Sequence, residues 1–316
     1  MMNNKGLQKE FMAICPGRVW ADQPLAEHTT FGIGGPARFL IEVLTEDELQ
    51  NCFKLARKNR VPVIVLGRGS NVLISDKGIK GCVIRLGGYF TKFGLLRDKK
   101  KICVGAAAKL HALVVLGAKK HFSKIEYLSG IPGTVGGAVC MNSGIREHSI
   151  GDFVVSARVF KPAQNRFFTI PVSKLRFGYR MSRFQKSADV VCSVILKFPI
   201  AKDAKSIVQT IEGFMKRRTA TQPLNMRSAG SVFKNPRGDS AGRLIESCGL
   251  RGIKIGNAAV SDKHANFIVN LGSAKARDVA CLMKRVQSAV KKQRKVLLQP
   301  EICFMGEFNE TARPEA

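Results

Sequence analysis

Val61-Pro62-Val63-Ile64-Val65-Leu66-Gly67-Arg68-Gly69-Ser70-Asn71-Val72-Leu73-Ile74-Ser75-Asp76 is the stretch whose reading decides the fold. Residues 61–66 are apolar and rich in β-branched side chains, the composition of a buried strand. Gly67 and Gly69 let the backbone approach a ligand closely and adopt positive φ. Ser70, Asn71 and successive backbone N–H groups then face outward as a phosphate cradle would. Gly-x-Gly-Ser alone marks an ordinary turn, so the residues that follow carry the weight. Residues 71–76 read as a second strand. The dinucleotide fingerprint G-x-G-x-x-G opens a helix and is therefore excluded.

The chain of 316 residues is long enough for two or three domains. Its 52 Lys and Arg against 23 Asp and Glu give a formal charge of +29, a field that attracts nucleic acid, acidic membrane or phosphorylated small molecules. The charge is dispersed, with small clusters at Lys99–Lys101, Lys216–Arg218 and Lys291–Lys295 and no basic tail. Nine scattered cysteines, none in Cys-x-x-Cys, fit reduced, buried thiols better than a disulfide framework. Residues 1–20 are mixed in character, with no apolar signal core, and no apolar run is long enough to span a bilayer. The expectation is a cytoplasmic protein with a partly ordered lead-in.

Working outward, residues 37–43 read as a strand. Thr45-Glu46-Asp47-Glu48 reads as a helix start with Thr45 as N-cap, and the helix runs to about Asn59. Further strands fall at 82–86, 101–104, 154–160, 167–171, 190–198, 265–270 and 297–305. Helices fall at 109–120, 202–218, 240–248 and 274–296. In the 202–218 helix Ile207, Ile211, Phe214 and Met215 point inward. In the last helix Val279, Met283, Val286 and Val290 form the buried stripe. A second glycine-rich segment, Gly130-Ile131-Pro132-Gly133-Thr134-Val135-Gly136-Gly137, lacks the Gly-Lys-Ser/Thr ending of a Walker loop. It reads either as a packed loop before a small-residue helix or as a second backbone surface for a large ligand.

The five histidines share no ligand spacing with cysteine or with one another, so no metal site is expected. His264 reads as a structural hydrogen-bonder, and no nucleophile elbow is present. Two glycine-rich segments, each beside a strand, suit one elongated ligand such as FAD, whose pyrophosphate needs bare N–H groups.

Seven motifs then occur in a known order: Thr29-Thr30-Phe31-Gly32-Ile33-Gly34-Gly35, Gly67-x-Gly-Ser70-Asn71, Gly130–Gly137, Phe177-Gly178-Tyr179-Arg180, Ala229-Gly230-Ser231-Val232-Phe233-Lys234-Asn235-Pro236, Lys263-His264-Ala265-Asn266-Phe267 and Pro300-Glu301. In this order they resemble the UDP-N-acetylenolpyruvoylglucosamine reductase (MurB) family, from about residue 20 to about residue 305. The resemblance implies an α+β protein. Its FAD-binding fold would be of the vanillyl-alcohol-oxidase type, with two α+β lobes at 21–90 and 91–201. A smaller substrate-binding domain would follow at 202–316, after the lead-in at 1–20.

The resemblance also implies a reaction. NADPH reduces FAD, which passes hydride to the enolpyruvyl group of UDP-N-acetylglucosamine enolpyruvate. The product is UDP-N-acetylmuramate, a peptidoglycan precursor. By the same resemblance Arg180, Ser231 and Glu301 are catalytic: Arg180 stabilises the developing enolate, Glu301 polarises or orients the carboxylate, and Ser231 gives the proton. Thr30, Gly67, Arg68, Gly69, Ser70, Asn71, Ile131, Pro132, Gly133, Thr134, Gly136 and Gly137 would hold FAD. Tyr179, Lys234 and Asn235 would bind substrate, and Arg217 and Arg218 are candidates for the diphosphate on charge grounds. The expected assembly is a monomer, with no stable nucleic-acid partner.

Two departures stand out. Ser143-Gly144-Ile145-Arg146-Glu147-His148 replaces the family's usual Ala-Gly-Ala-Tyr-Gly, putting local flavin contacts in question. The interval from Arg180 to Ser231 is short, resembling the subtype without a loop that closes over the nucleotide sugar. Another flavin oxidoreductase of the same fold is the alternative reading. A basic nucleic-acid binder is the second alternative, and it leaves the glycine segments unexplained.

Overall fold

The structure is a computed structural model and describes residues 3–97, 100–145, 147–309 and 313–315. Lys99 and Arg146, singled out above, lie outside the described residues. The chain begins with helix α1 (Asn4–Ile14), strands β1 (Val19–Pro24) and β2 (Pro36–Val43), helix α2 (Glu46–Lys58) and strands β3 (Val63–Val65), β4 (Val72–Ile74) and β5 (Ile79–Leu86). There follow β6 (Phe93–Leu95), β7 (Lys101–Gly105), α3 (Leu110–Lys119), α4 (Val135–Met141), the hairpin β8 (Gly144–Ile145) and β9 (His148–Ser149), then β10 (Val154–Lys161), β11 (Arg166–Pro171) and β12 (Val190–Lys197). The last part contains α5 (Ala204–Thr221), α6 (Ala241–Ser247), β13 (Lys254–Ile255), β14 (Ala258–Val260), β15 (Ile268–Asn270), α7 (Ala276–Arg294) and β16 (Cys303–Met305).

Two compact units divide the chain: Met1–Ala21, Phe39–Arg68 and Gly81–Arg217 form the first, and Asp22–Arg38, Gly69–Lys80 and Arg218–Ala316 the second. This partition interleaves segments that chain order separates. The first unit holds a five-stranded sheet ordered β11-β10-β12-β7-β6. In it β10, β12 and β7 pair antiparallel, with Ala157 opposite Val194 and Val194 opposite Val104. A four-stranded sheet ordered β1-β2-β5-β3 ends in the parallel pair Val63–Cys82, Ile64–Val83, Val65–Ile84.

Two apolar clusters fill the first unit. One gathers Leu7, Phe11 and Cys15 against Phe39, Ile41, Leu49, Cys52 and Phe160. The other gathers Val104, Leu113, Phe122, Val135, Val139, Phe153, Val194 and Phe198. Burying such side chains contributes about 1.5–3 kcal/mol each, and the irregular glycine loops hang from these cores. The helix start at Thr45 forms as expected: Thr45 Oγ1 accepts from Glu48 N–H at 3.2 Å. Glu48 itself bridges to Arg18 at 2.7 and 2.9 Å and accepts from Leu44 N–H at 2.7 Å.

In the second unit α7 packs on the sheet β13-β14-β15 and α6 packs against α7, and Val279, Met283, Val286 and Val290 are buried as the stripe predicts. Here β4 pairs in parallel with β16, Val72 opposite Cys303 and Ile74 opposite Met305. Asp76, five residues after Asn71, caps α7 by accepting from Ala276 and Arg277 N–H at 2.7 and 3.0 Å.

Three local expectations are corrected. The lead-in contains α1, whose Leu7 and Phe11 are fully buried. Met215 is exposed, because α5 buries only Ile207 fully and half-buries Ile211 and Phe214. The strand expected over 297–305 is confined to Cys303–Met305. Ahead of it, Gln299 O accepts from Lys234 N–H and Glu301 N–H donates to Val232 O, at 2.8 and 2.9 Å. That segment therefore runs beside residues 232–234 instead of extending β16.

Candidate active site

In the first unit the two glycine-rich segments meet. Gly67 follows β3, and a Cβ built on it would stand 2.8 Å from Thr134 Oγ1. Thr134 is the N-cap of α4, with Oγ1 accepting from Gly137 N–H at 3.3 Å. Val135 and Gly136 spend their N–H groups on Ala108 O and Ala106 O, at 2.9 and 2.8 Å. Gly136 is buried, and a side chain there would strike Ala106. What this region presents to a ligand is thus the bare backbone of Gly67, the left-handed Gly130 and Gly133, and exposed Arg68, Pro132 and Gly137, with Ile131 half-buried behind them.

The same unit carries Phe177-Gly178-Tyr179-Arg180. Gly178 and Met181 exchange backbone bonds, both 3.0 Å, and close a tight turn with Arg180 at φ +51. Arg180 Nη1 donates to Gly144 O at 3.1 Å, and its guanidinium lies 5.4 Å from the Tyr179 ring centroid. Tyr179 is 59% exposed. Within the divergent segment Gly144 and Ile145 pair with Ser149 and His148, and the backbone of Gly144 supports Arg180.

In the second unit Thr30 N–H donates to Gly69 O at 3.1 Å, and Thr30 Oγ1 donates to Ser228 O at 2.7 Å. Gly69 sits at φ +64, and a Cβ built on it would collide with His28 O and Thr29 Cα. Ser70 and Asn71 are half-buried. Asn71 Nδ2 donates to Glu301 O at 3.2 Å, and Asn71 O accepts from Cys303 N–H at 2.9 Å. The cradle segment and the Pro300-Glu301 segment are therefore one hydrogen-bonded ribbon.

Ser231 lies next to that ribbon. Glu301 N–H donates to the carbonyl of its neighbour Val232, and Ser231 itself bridges to Phe267. Asn266 clamps the segment: Oδ1 accepts from Phe233 N–H at 3.0 Å and Nδ2 donates to Phe233 O at 2.8 Å. Asn266 is 2% exposed and stands in a motif that sequence reasoning quoted without giving it a role. Lys234 is half-buried, and its charge and that of Glu301 both reach Cys303, whose thiol is pushed up chiefly by burial. Asn235 Oδ1 accepts from Ala241 N–H at 3.0 Å at the start of α6.

His264 Nδ1 accepts from Asn266 N–H at 3.2 Å, which places the ring proton on Nε2. Burial holds its pKa below the ordinary histidine value, and Arg251 adds to the effect. The ring rests against Phe267 with centroids 4.7 Å apart, a structural role as read from the sequence. Arg218 is held below the ordinary guanidinium value by burial. No group of three or more His, Cys, Asp or Glu that could hold a metal occurs among the described residues.

The bare backbone at Gly67, Gly130 and Gly133 fits a cofactor whose pyrophosphate lies on backbone. Comparison with known proteins agrees. Residues 37–166 match a family described as FAD binding domain, and residues 222–305 match the C-terminal domain of UDP-N-acetylenolpyruvoylglucosamine reductase. The chain is 40% identical over 291 residues to UDP-N-acetylenolpyruvoylglucosamine reductase 2 of Symbiobacterium thermophilum, covering 92% of this chain and 93% of that protein. It is 36% identical over 307 residues to the UDP-N-acetylenolpyruvoylglucosamine reductase of Clostridioides difficile, covering 97% and 100%. The crystal structure of the Thermus caldophilus reductase superposes with a TM-score of 0.78 at 38% identity, covering 91% of this chain and 98% of that one. The α+β, FAD-binding fold expected from the sequence stands.

Proposed function

We propose, from the premise that the chain belongs to the UDP-N-acetylenolpyruvoylglucosamine reductase family, that Arg180, Ser231 and Glu301 carry its chemistry. The protein is a flavin-dependent reductase of UDP-N-acetylmuramate synthesis. Thr30, Gly67–Asn71, Ile131–Thr134, Gly136 and Gly137 are the residues that would hold FAD. When bound, FAD supplies the hydride, received from NADPH, that adds to the vinyl carbon of the enolpyruvyl ether.

Addition at that carbon leaves enolate-like charge on the substrate carboxylate and the ether carbon. Arg180 supplies a fixed cation for that charge, its reach set by the Gly144 carbonyl and the tight turn. Glu301 orients the carboxylate from a backbone bonded on both sides, through its N–H to Val232 and its carbonyl to Asn71. Ser231 Oγ delivers the proton to the ether carbon. Serine is a weak acid, but the enolate is a strong base, and Lys234, three residues along, adds positive charge. Tyr179, Lys234 and Asn235 bind the nucleotide sugar, with Arg217 and Arg218 toward the diphosphate.

The observation that carries this reading is the bond from Glu301 N–H to Val232 O. It keeps Ser231 and Glu301 on adjacent, hydrogen-bonded segments, which supports their acting on the same enolate. The same reading makes the protein a cytoplasmic monomer organised as a lead-in at 1–20, FAD-binding lobes at 21–90 and 91–201 and a substrate domain at 202–316. No helix among the described residues is long and apolar enough to cross a membrane.

The test separates the half-reactions. In Ser231→Ala, anaerobic bleaching of the flavin by NADPH should proceed at nearly the wild-type rate. Reoxidation by UDP-N-acetylglucosamine enolpyruvate should be slowed roughly 100-fold or more. Equal losses in both halves would make Ser231 structural.

A further inference from the structure

The geometry points to Asn142 as a positioning residue for Arg180, acting through the backbone of the Gly178–Met181 turn. The inference rests on the catalytic reading of Arg180 and deepens it.

Asn142 is the C-cap of α4, itself left-handed at φ +46, and only 6% exposed. Its short side chain uses both ends. Nδ2 donates to Gly178 O at 2.8 Å, and Oδ1 accepts from Gly151 N–H at 2.9 Å. Two flanking bonds keep step with it. Ser182 Oγ donates to Cys140 O at 2.7 Å, and Arg180 Nη1 donates to Gly144 O at 3.1 Å. Residues 140, 142 and 144 thus hold 182, 178 and 180, a three-bond splice between two irregular segments.

The splice has a reason. Arg180 occupies the left-handed region at φ +51, which an L-residue with a long side chain adopts at a cost. A turn holding such a residue relaxes unless its ends are fixed. Ser182 fixes one end. At the other end Gly178 has no side chain, so its carbonyl is the available handle, and Asn142 holds it. Asparagine suits the position twice over. It tolerates the left-handed backbone, and it offers one donor and one acceptor on the same stem. Aspartate keeps the bond from Gly151 but, when ionised, turns an oxygen toward the Gly178 carbonyl. Alanine leaves Gly151 N–H without its partner and leaves Gly178 O only the Met181 N–H across the turn.

The test uses the FAD-loaded enzyme and compares Asn142→Ala, Asn142→Asp, Gly151→Ala and Arg180→Ala. Flavin reduction by NADPH should stay within about twofold of wild type in Asn142→Ala. Reoxidation by the enolpyruvyl nucleotide sugar should fall roughly 100-fold, the usual cost of a misplaced catalytic group. In Asn142→Asp the second half-reaction should recover as pH falls, because the protonated carboxyl regains a donor for Gly178 O; wild type should lack this rise. Gly151→Ala, whose Cβ would stand 2.6 Å from Asn142 Oδ1, should reproduce the loss without the pH recovery. In flavin-free protein, amide exchange over residues 177–182 should speed up in Asn142→Ala.

Equal losses in both half-reactions, or unchanged exchange over that turn, would overturn the inference. Absence of the pH recovery in Asn142→Asp would do the same. Full second-half activity in Arg180→Ala would instead refute the role of Arg180 on which the inference rests. Loss in Arg180→Ala with none in Asn142→Ala refutes only the positioning.

Discussion

Replacing Asn266 with alanine removes a clamp whose cost can be worked out bond by bond. Its carboxamide satisfies both backbone groups of Phe233, at 3.0 and 2.8 Å. Phe233 and Asn266 are both buried, so water does not readily replace the lost partner. Leaving one buried polar group unsatisfied costs about 1–3 kcal/mol, so two give about 2–6 kcal/mol in all. The bonds from Val232 N–H to Asn266 O and from Glu301 N–H to Val232 O use backbone atoms, so the mutation leaves those atoms in place. The loss should therefore appear first as local opening of the 231–234 segment. Amide exchange of a peptide spanning 228–236 should accelerate by roughly 30-fold or more, each tenfold corresponding to about 1.4 kcal/mol. Flavin reoxidation by the enolpyruvyl substrate should slow, because Ser231 begins that segment. Exchange within threefold of wild type would refute the reasoning, since the clamp would then hold nothing that neighbouring backbone bonds do not.

Two further outcomes follow from particular groups. Burial depresses the pKa of His264, so its neutral ring stabilises the fold above the unfolded value of about 6.5, and that stabilisation is lost as pH falls through the lower folded value. Thermal midpoints taken between about pH 7.5 and 5 should fall less steeply in His264→Gln than in wild type; identical slopes would count against the assignment. Gly69→Ala puts a Cβ into the His28 carbonyl at a left-handed backbone position. The purified variant should carry much less flavin, read from the ratio of visible to ultraviolet absorbance, and full flavin content would show that the cradle does not depend on that bare position.

Much of the frame was legible because its signals are local. Thr45 with Glu48 three residues on marks a helix N-terminus, and Thr45 Oγ1 indeed takes the Glu48 N–H. The strand–glycine loop–strand reading of 61–76 holds, with β3 and β4 on either side of the loop. Helix α1 was hidden because its apolar face is thin: Leu7, Phe11 and Cys15 recur among Lys5, Gln8, Lys9 and Glu10, and only the tertiary core shows what they bury against. Met215 misled for the opposite reason. An apolar residue at helical spacing was available, but α5 buries a narrower stripe than its sequence offers. The buried asparagines were illegible. Asn266 reaches a partner 33 residues away and Asn142 one 36 residues away, and no periodic pattern marks a carboxamide that satisfies distant backbone.

Those asparagines share a physical logic with the glycine-rich segments they hold. A segment built of glycine, serine and turn residues buries little apolar side chain, so packing alone cannot fix it. Nor does it run straight enough for an extended ladder, and around Ser231 and Phe233 the sheet contacts are isolated bridges. Its buried N–H and C=O groups still need partners. A carboxamide supplies a donor and an acceptor about one peptide apart, so it can stand in for a missing strand. Asn266 does this for Phe233, and Asn142 joins Gly178 to Gly151. Asn270 joins Phe31 O to the N–H groups of Gly272 and Ala274, and Asn71 ties the cradle to Glu301. Each of the four acts at or within four residues of a motif that carries the family resemblance. Glutamine could not substitute freely, since its extra methylene would move the carboxamide off both partners, and aspartate would lose the donor. The motifs thus depend on side-chain-to-backbone bonds made over long sequence distances, and their geometry should be more sensitive to these amides than to conservative changes in the apolar cores beneath them.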